Sequence, residues 1–121
     1  MTEATLLEAL EAWSSGDVER VLEHMTEDAT YHASVGPELR GRTYRGRAEV
    51  GEGVQRFFDA HPDGAFVGTT VVVAGDRGHA EWTFTWTAED GSKREVRGCD
   101  LLEFEGSLIR TKNAFRKVHE A

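Results

Sequence analysis

Residues 97–117 read RGCDLLEFEGSLIRTKNAFRK, and this stretch decides how the chain is expected to fold. It holds two strand-like runs separated by Gly106-Ser107, a pair that favours a two-residue type II′ hairpin turn. A turn of this type sets Phe104 opposite Ile109 on one apolar face. The stretch is therefore predicted to form a β-hairpin that ends the sheet.

Asp100 is the unusual residue of this hairpin. Alternation places it on the same apolar face as Leu102, and the turn sets it opposite Asn113. If the preceding hairpin keeps its apolar faces together, Trp82 lies across from it. A carboxylate on a buried face is costly unless it is paired, hydrogen-bonded or neutralised. Asp100 is therefore the candidate catalytic residue.

Upstream of the hairpin, the hydrophobic period changes from helical to strand-like. Helical spacing covers residues 5–13, a shorter segment after Asp17, and residues 47–60, with a predicted strand at 28–35 between them. Three further predicted strands, at 66–74, 79–88 and 94–104, join the last run in a four-stranded antiparallel meander. The sequence thus predicts an α+β fold, in which about three helices from the N-terminal half close the concave face of a curved antiparallel sheet.

Composition narrows the class of protein. The 121 residues suit one domain spanning 1–121, and the net charge of −8 argues against nucleic-acid binding. The single cysteine excludes an internal disulfide, and no cluster of cysteines or close pair of histidines suggests a metal site. No apolar run approaches the roughly 20 residues of a membrane span, and the N-terminus lacks a basic signal region. A cytoplasmic protein without a membrane partner, metal or cofactor is expected.

Four stretches resemble the nuclear transport factor 2-like superfamily, in particular its SnoaL-like and ketosteroid-isomerase-like branch. They are GDVERVLEHMTEDATYH, TYRGRAEVGEGVQRFF, AGDRGHAEWTFTWT, and GCDLLEFEGSLI with its closing NAFRK. They span nearly the whole chain in the expected order. The resemblance implies a cone-shaped, cystatin-like roll, a fold that hosts several enzyme classes as well as plain binding domains.

The resemblance also gives Asp100 a role. It occupies the place of the aspartate that ketosteroid isomerases keep protonated to donate a hydrogen bond to the developing oxyanion. The positions of their general base and phenol hold Ala33 and Ala9, and Lys117 replaces an acidic residue found in many SnoaL-like cyclases. Ketosteroid isomerase activity is therefore not expected, because general base catalysis and oxyanion stabilisation each contribute orders of magnitude.

The leading hypothesis is a small cofactor-independent enzyme of isomerase, cyclase or dehydratase type. Asp100 would move a proton on an apolar, carbonyl-bearing or cyclic small molecule. The predicted substrate-binding residues are Trp82, Tyr31, Asn113, Phe115, Leu102, Phe57 and Lys112. The alternative is a non-catalytic small-molecule-binding or dimerisation domain, in which Asp100 is structural and Trp82 belongs to the core.

Three features leave alternatives open. Strict alternation turns Lys112 outward, whereas a bulge in the last strand would turn Lys112 and Arg116 inward. An inward Lys112 would pair with Asp100 and hold that carboxylate ionised. A basic cluster in the loop before the third helix either attracts an anionic substrate or is solvated; it comprises Arg40, Arg42, Arg45 and Arg47.

The outer face of the sheet mixes apolar and charged residues, as a homodimer interface often does; they are Leu101, Leu108, Arg97, Glu103 and Arg110.

Overall fold

The computed structural model describes residues 1–120, in which three α-helices of the N-terminal half pack against a six-stranded sheet. The helices are α1 (Glu3–Glu11), α2 (Val18–Leu22) and α3 (Gly46–Ala60), with a short 3-10 helix at Ala12–Ser14. The strands are β1 (Met25–His32), β2 (Thr43–Arg45), β3 (Ala65–Ala74), β4 (Arg77–Thr87), β5 (Lys93–Glu105) and β6 (Leu108–Arg116). Among these residues, no helix has the length and apolar character needed to cross a bilayer. The predicted α+β fold is confirmed.

The strands lie in the order β2-β1-β6-β5-β4-β3. Strands β3 to β6 form the predicted antiparallel meander, and β1 adds to it by pairing in parallel with β6. The short strand β2 pairs with β1 and occupies part of the predicted irregular loop. Strand β1 ends at His32 rather than at residue 35, because the chain then enters a loop closed by hydrogen bonds of Arg42 to Ala33 and Val35.

The turn between β5 and β6 is the predicted one. Gly106 adopts a φ of +60°, as the first central residue of a type II′ turn requires, and Phe104 pairs with Ile109. The register then shifts by one residue, so that Glu103 pairs with Thr111. Such a shift marks a β-bulge, which the sequence left open as one of two possibilities.

The bulge changes which side chains of β6 point inward. Beyond it Asp100 pairs with Ala114, so the prediction that Asp100 faces Asn113 is wrong. Since side chains alternate along a strand, one extra residue moves every later side chain of β6 to the other face. Lys112, paired with Leu102, is consequently buried on the concave side.

The core lies between that concave side and the helices. Leu6 on α1 and Val50 and Val54 on α3 are fully buried, as are Phe84 and Ile109 on the sheet. Val50 and Val54 are one turn apart, so they share one face of α3. Full burial of such a side chain contributes about 1.5–3 kcal/mol, and these helices are therefore held by their apolar faces.

Candidate active site at the mouth of the sheet

A buried ion pair joins the middle of β5 to β6. Asp100 exposes 1% of its surface and Lys112 exposes 2%. The Lys112 ammonium donates a hydrogen bond to Oδ1 of Asp100 at 3.1 Å, and the Trp82 indole Nε1–H donates to Oδ2 at 3.0 Å. Both carboxylate oxygens thus have a protein partner, which is what a buried charge requires.

Aromatic rings surround the other side of Lys112. Its Nζ lies 4.1 Å from the centroid of the Trp13 ring, 5.6 Å from that of Tyr31 and 5.9 Å from that of Phe66. A desolvated cation over an aromatic face gains about 2 kcal/mol. These contacts hold the ammonium group within the core, next to Asp100.

The space beside Asp100 is small. It is a void of about 10 Å³ lined by Leu10, Trp13, Phe66, Thr69, Trp82, Asp100 and Lys112. A volume of this size holds about one water molecule and no organic substrate. The geometry therefore favours a structural role for Asp100, and its catalytic role stays a prediction.

The residues predicted to bind substrate fall into two groups. Five have side chains on the concave side of the sheet or on α3: Trp82, Tyr31, Leu102, Phe57 and Lys112. Asn113 and Phe115 lie on the outer face, where Asn113 pairs with the exposed Leu101 and Phe115 is 48% exposed. The prediction that these two line the concave pocket is wrong, because the bulge in β6 reverses their orientation.

The outer face of the sheet carries exposed apolar side chains beside ion pairs. Leu101 is 52% exposed, and Arg97 lies nearby on the same strand, 3.8 Å from the Glu81 carboxylate. Mixed surfaces of this kind occur in many protein interfaces. Homodimerisation through this face stays a prediction.

A larger cavity of about 240 Å³ lies where α3 meets the C-terminal ends of β1 and β6, and we call it the mouth cavity. It is lined by Tyr31, Ala33, Ser34, Val35, Arg42, Tyr44, Gly53, Arg56, Phe57, Ala60, His61 and Arg116. Tyr31 and Phe57 were among the predicted ligand contacts. Most of the other lining residues come from a loop, a helix and strand ends. Tertiary packing brings these elements together.

Aromatic rings form one wall of the mouth cavity. Tyr31 and Tyr44 stack with their centroids 5.7 Å apart, and Trp13 packs edge-on against Tyr31. A Cβ atom at Gly53 would lie 2.6 Å from the Tyr44 ring, so glycine allows that ring to pack against α3. Burial, and secondarily the charge of Asp100, raises the pKa of Tyr31, which keeps its phenol protonated.

His61 is the titratable imidazole of the mouth cavity; it directly follows α3 and was not among the predicted site residues. Its Nδ1–H donates to the Phe57 carbonyl at 2.9 Å, an assignment that follows because a carbonyl can only accept. The ring also packs edge-on against the stacked pair of Phe84 and Trp86. Burial lowers the pKa of His61, the hydrogen bond to the Phe57 carbonyl partly opposes this, and the positive charge of Arg116 lowers the pKa further. The imidazole is therefore neutral at pH 7, with Nε2 as its proton acceptor.

Three arginines complete the lining. Arg42 comes from the loop after β1, Arg56 from α3, and Arg116 from the inward side of β6 beyond the bulge. Arg42 belongs to the basic cluster seen in the sequence, whereas Arg56 was not predicted. Within residues 1–120 no three His, Cys, Asp or Glu side chains form a group that could hold a metal ion.

Solved structures share this fold at low sequence identity. A protein with a ketosteroid isomerase-like fold from Catenulispora acidiphila, in complex with trimethylamine, matches with a TM-score of 0.82 and 18% identity over 95% of this chain and 86% of that one. A protein from Xanthomonas campestris pv. campestris, provisionally named a polyketide cyclase, matches with a TM-score of 0.77 and 20% identity over 93% and 87% of the two chains. TerC, co-crystallised with polyporic acid, matches with a TM-score of 0.77 and 17% identity over 94% and 89%.

Sequence comparison identifies the family more directly. No curated protein matches the sequence. The family model of the SnoaL-like domain matches residues 6–111. Because this match covers most of the 121 residues, the chain belongs to the SnoaL-like domain family.

Proposed function

We propose that this protein binds a small ring-shaped organic molecule in the mouth cavity. The observation that carries the proposal is the contrast between two spaces on the helix side of the sheet, about 10 Å³ beside Asp100 and about 240 Å³ against the aromatic wall, whereas larger depressions of about 360 and 510 Å³ lie on the outer face. The volume of about 240 Å³ is just below the roughly 300–1,000 Å³ of small-molecule sites, so it suits a molecule of no more than one or two rings. The fold relatives in complex with trimethylamine and polyporic acid support small-molecule binding.

Filling the mouth cavity is expected to abolish binding. Ala60 lines the cavity at the exposed end of α3, so Ala60→Trp places an indole there while leaving the core intact. Ala48→Trp, on an exposed position of the first turn of the same helix outside the cavity, is the matched control. Small aromatic compounds that raise the melting temperature of the wild type are expected to do so for Ala48→Trp and not for Ala60→Trp. Equal shifts in both variants would place the binding site elsewhere.

A second candidate function, cofactor-independent proton transfer, is favoured by the state of His61. A neutral imidazole whose Nδ1 is fixed by a carbonyl offers Nε2 as a general base. In such a step Nε2 takes a proton from the carbon beside a ketone, the C–H electrons move to form the enolate, and the proton then returns to carbon. Arg116, whose charge acts on His61, would stabilise the enolate oxygen.

Hydrogen exchange of 2-tetralone in D₂O, followed by NMR, tests this candidate. His61→Asn is expected to lower the enzyme-catalysed exchange by about 10²–10⁴-fold, the usual contribution of a general base. Because burial lowers the pKa of His61, the wild-type rate should stay level as the pH falls through about 6.5, the ordinary histidine value, and decline only below it. His79→Asn, on the outward side of β4, is the control. Exchange that is unchanged in His61→Asn would remove His61 from the chemistry.

A further inference from the structure

The mouth cavity differs from the rest of this acidic chain in its charge. Acidic residues outnumber lysine and arginine by 22 to 14. The lining nevertheless contains three arginines and no aspartate or glutamate. With His61 neutral, the formal charge around the cavity is positive. A concave site lined by one sign of charge concentrates its field on a ligand of the opposite sign.

These arginines are not held by acidic side chains. Among residues 1–120, the guanidinium groups of Arg42, Arg56 and Arg116 have no carboxylate oxygen within 4.0 Å. Unpaired arginines are common on protein surfaces, and several others occur in this chain. The distinguishing feature is that three of them converge on one aromatic cavity.

The three side chains come from separately anchored elements. The backbone of Arg42 is fixed by two hydrogen bonds, one from its N–H to Val35 and one from the Ala33 N–H to its carbonyl. Arg56 projects from the third turn of α3. Arg116 is half-buried, with its guanidinium carbon 5.9 Å from the centroid of the Trp86 ring. The side chains of Arg42 and Arg56 are exposed, so Arg116 is the arginine whose guanidinium is held before a ligand binds, which lowers the entropy lost there on binding.

We propose that the ligand of the mouth cavity is an anion, specifically a planar one- or two-ring molecule that carries a carboxylate. This inference rests on the proposed binding function and adds the ligand class. The planar guanidinium fork matches a carboxylate in two parallel hydrogen bonds, and the lining residues Tyr31, Tyr44 and Phe57 give the apolar part of the molecule aromatic side chains to pack against. Ser34 adds a hydroxyl-bearing side chain to the same lining.

The test compares two probes of nearly equal shape, 2-naphthoate and 2-naphthamide, by isothermal titration calorimetry. Naphthoate is expected to bind at least tenfold more tightly. Arg116→Gln should weaken naphthoate binding by about tenfold, the usual effect of losing a charged hydrogen bond, and should weaken naphthamide binding much less, so that the preference for naphthoate falls. Arg45→Gln, an exposed arginine on β2 outside the cavity, is the matched control and should bind both probes as the wild type does.

The outcomes separate the ligand class from the binding function. Equal affinity of both probes, abolished for both by Ala60→Trp, would overturn the anion inference while the mouth cavity remains a binding site. Tighter binding of naphthoate that Arg116→Gln and Arg45→Gln weaken equally would assign the preference to general charge and also overturn it. No binding of naphthoate at millimolar concentration would overturn the carboxylate class, and the proposed function would then depend on the compound screen with Ala60→Trp.

Discussion

Asp100→Asn is expected to lower the free energy of unfolding by about 3–5 kcal/mol, the cost of removing one partner from a buried ion pair. The substitution leaves the Lys112 ammonium without a counter-charge in a position that is 2% exposed. Asparagine preserves an acceptor for the Trp82 indole, so the loss is assigned to the missing charge and not to missing volume. Urea unfolding followed by tryptophan fluorescence measures this loss of stability. If unfolding remains two-state, the slope of the unfolding free energy against urea concentration should equal that of the wild type.

A double-mutant cycle isolates the pair. Lys112→Met keeps much of the lysine stem, and Asp100→Asn/Lys112→Met buries no charge, so the double variant should be less destabilised than the sum of the two single variants by at least 1.5 kcal/mol. The exposed pair of Arg97 and Glu81, 3.8 Å apart, supplies the control: Arg97→Gln should change stability by no more than about 1 kcal/mol. Additive losses in the buried cycle would mean that the two charges are not coupled.

The same variants distinguish the two roles considered for Asp100. If Asp100 carried the proton, Asp100→Asn would lower stability and would also abolish the exchange of 2-tetralone by the fraction that remains folded. If it is structural, stability falls, and the exchange catalysed by the fraction that remains folded changes little. The void of about 10 Å³ beside the carboxylate favours the second result.

The contrast between Asp100 and Lys112 shows how far the sequence could predict this centre. The inward position of Asp100 follows from alternation within β5 and is found. The prediction that Trp82 lies across from Asp100 is wrong, because Asp100 pairs with Ala80 and Trp82 pairs with Gly98. Trp82 lies on the same face two residues further along β4, and its indole reaches Asp100 diagonally.

The orientation of Lys112 depends on one extra residue of β6, Arg110, between Ile109 and Thr111, and a period of two carries no signal for such an insertion. Asn113 and Phe115 were misplaced for the same reason.

The mouth cavity was beyond sequence analysis for a different reason. The stacked Tyr31 and Tyr44 come from two strands, and the sequence predicted only the first of them. Strand β2 has three residues, too few for alternation to be detected. His61 and Arg56 lie near the end of α3. The hydrophobic period of a helix reveals its apolar face, but it carries no information about polar residues beside that face. Periodicity therefore predicts the core and leaves the cavity at its edge unassigned.

Gly98→Ala is expected to destabilise the protein by about 3 kcal/mol, at the upper end of the range for overpacking. A Cβ atom at Gly98 would clash with the Trp82 ring and with the backbone carbonyl of Phe115, because both lie closer than real Cβ atoms approach. The carbonyl belongs to the neighbouring strand and cannot turn away without breaking the ladder, and a shift of Trp82 would move its indole N–H from Asp100. Both routes of relief therefore cost free energy. The effect is measured by urea unfolding, and loss of the near-ultraviolet circular dichroism of Trp82 would accompany it.

Gly51→Ala is the matched control, and the sign of its effect should be opposite. A Cβ atom at Gly51 on α3 would meet side-chain carbons of Leu22 and Val18 at 3.5 and 3.8 Å, which are ordinary contact distances. Alanine is favoured over glycine within a helix by about 1 kcal/mol, so this variant should be more stable than the wild type. If Gly98→Ala unfolded at the same urea concentration as the wild type, the close approach of Trp82 to β5 would be wrong, and with it the packing that aims the indole at Asp100.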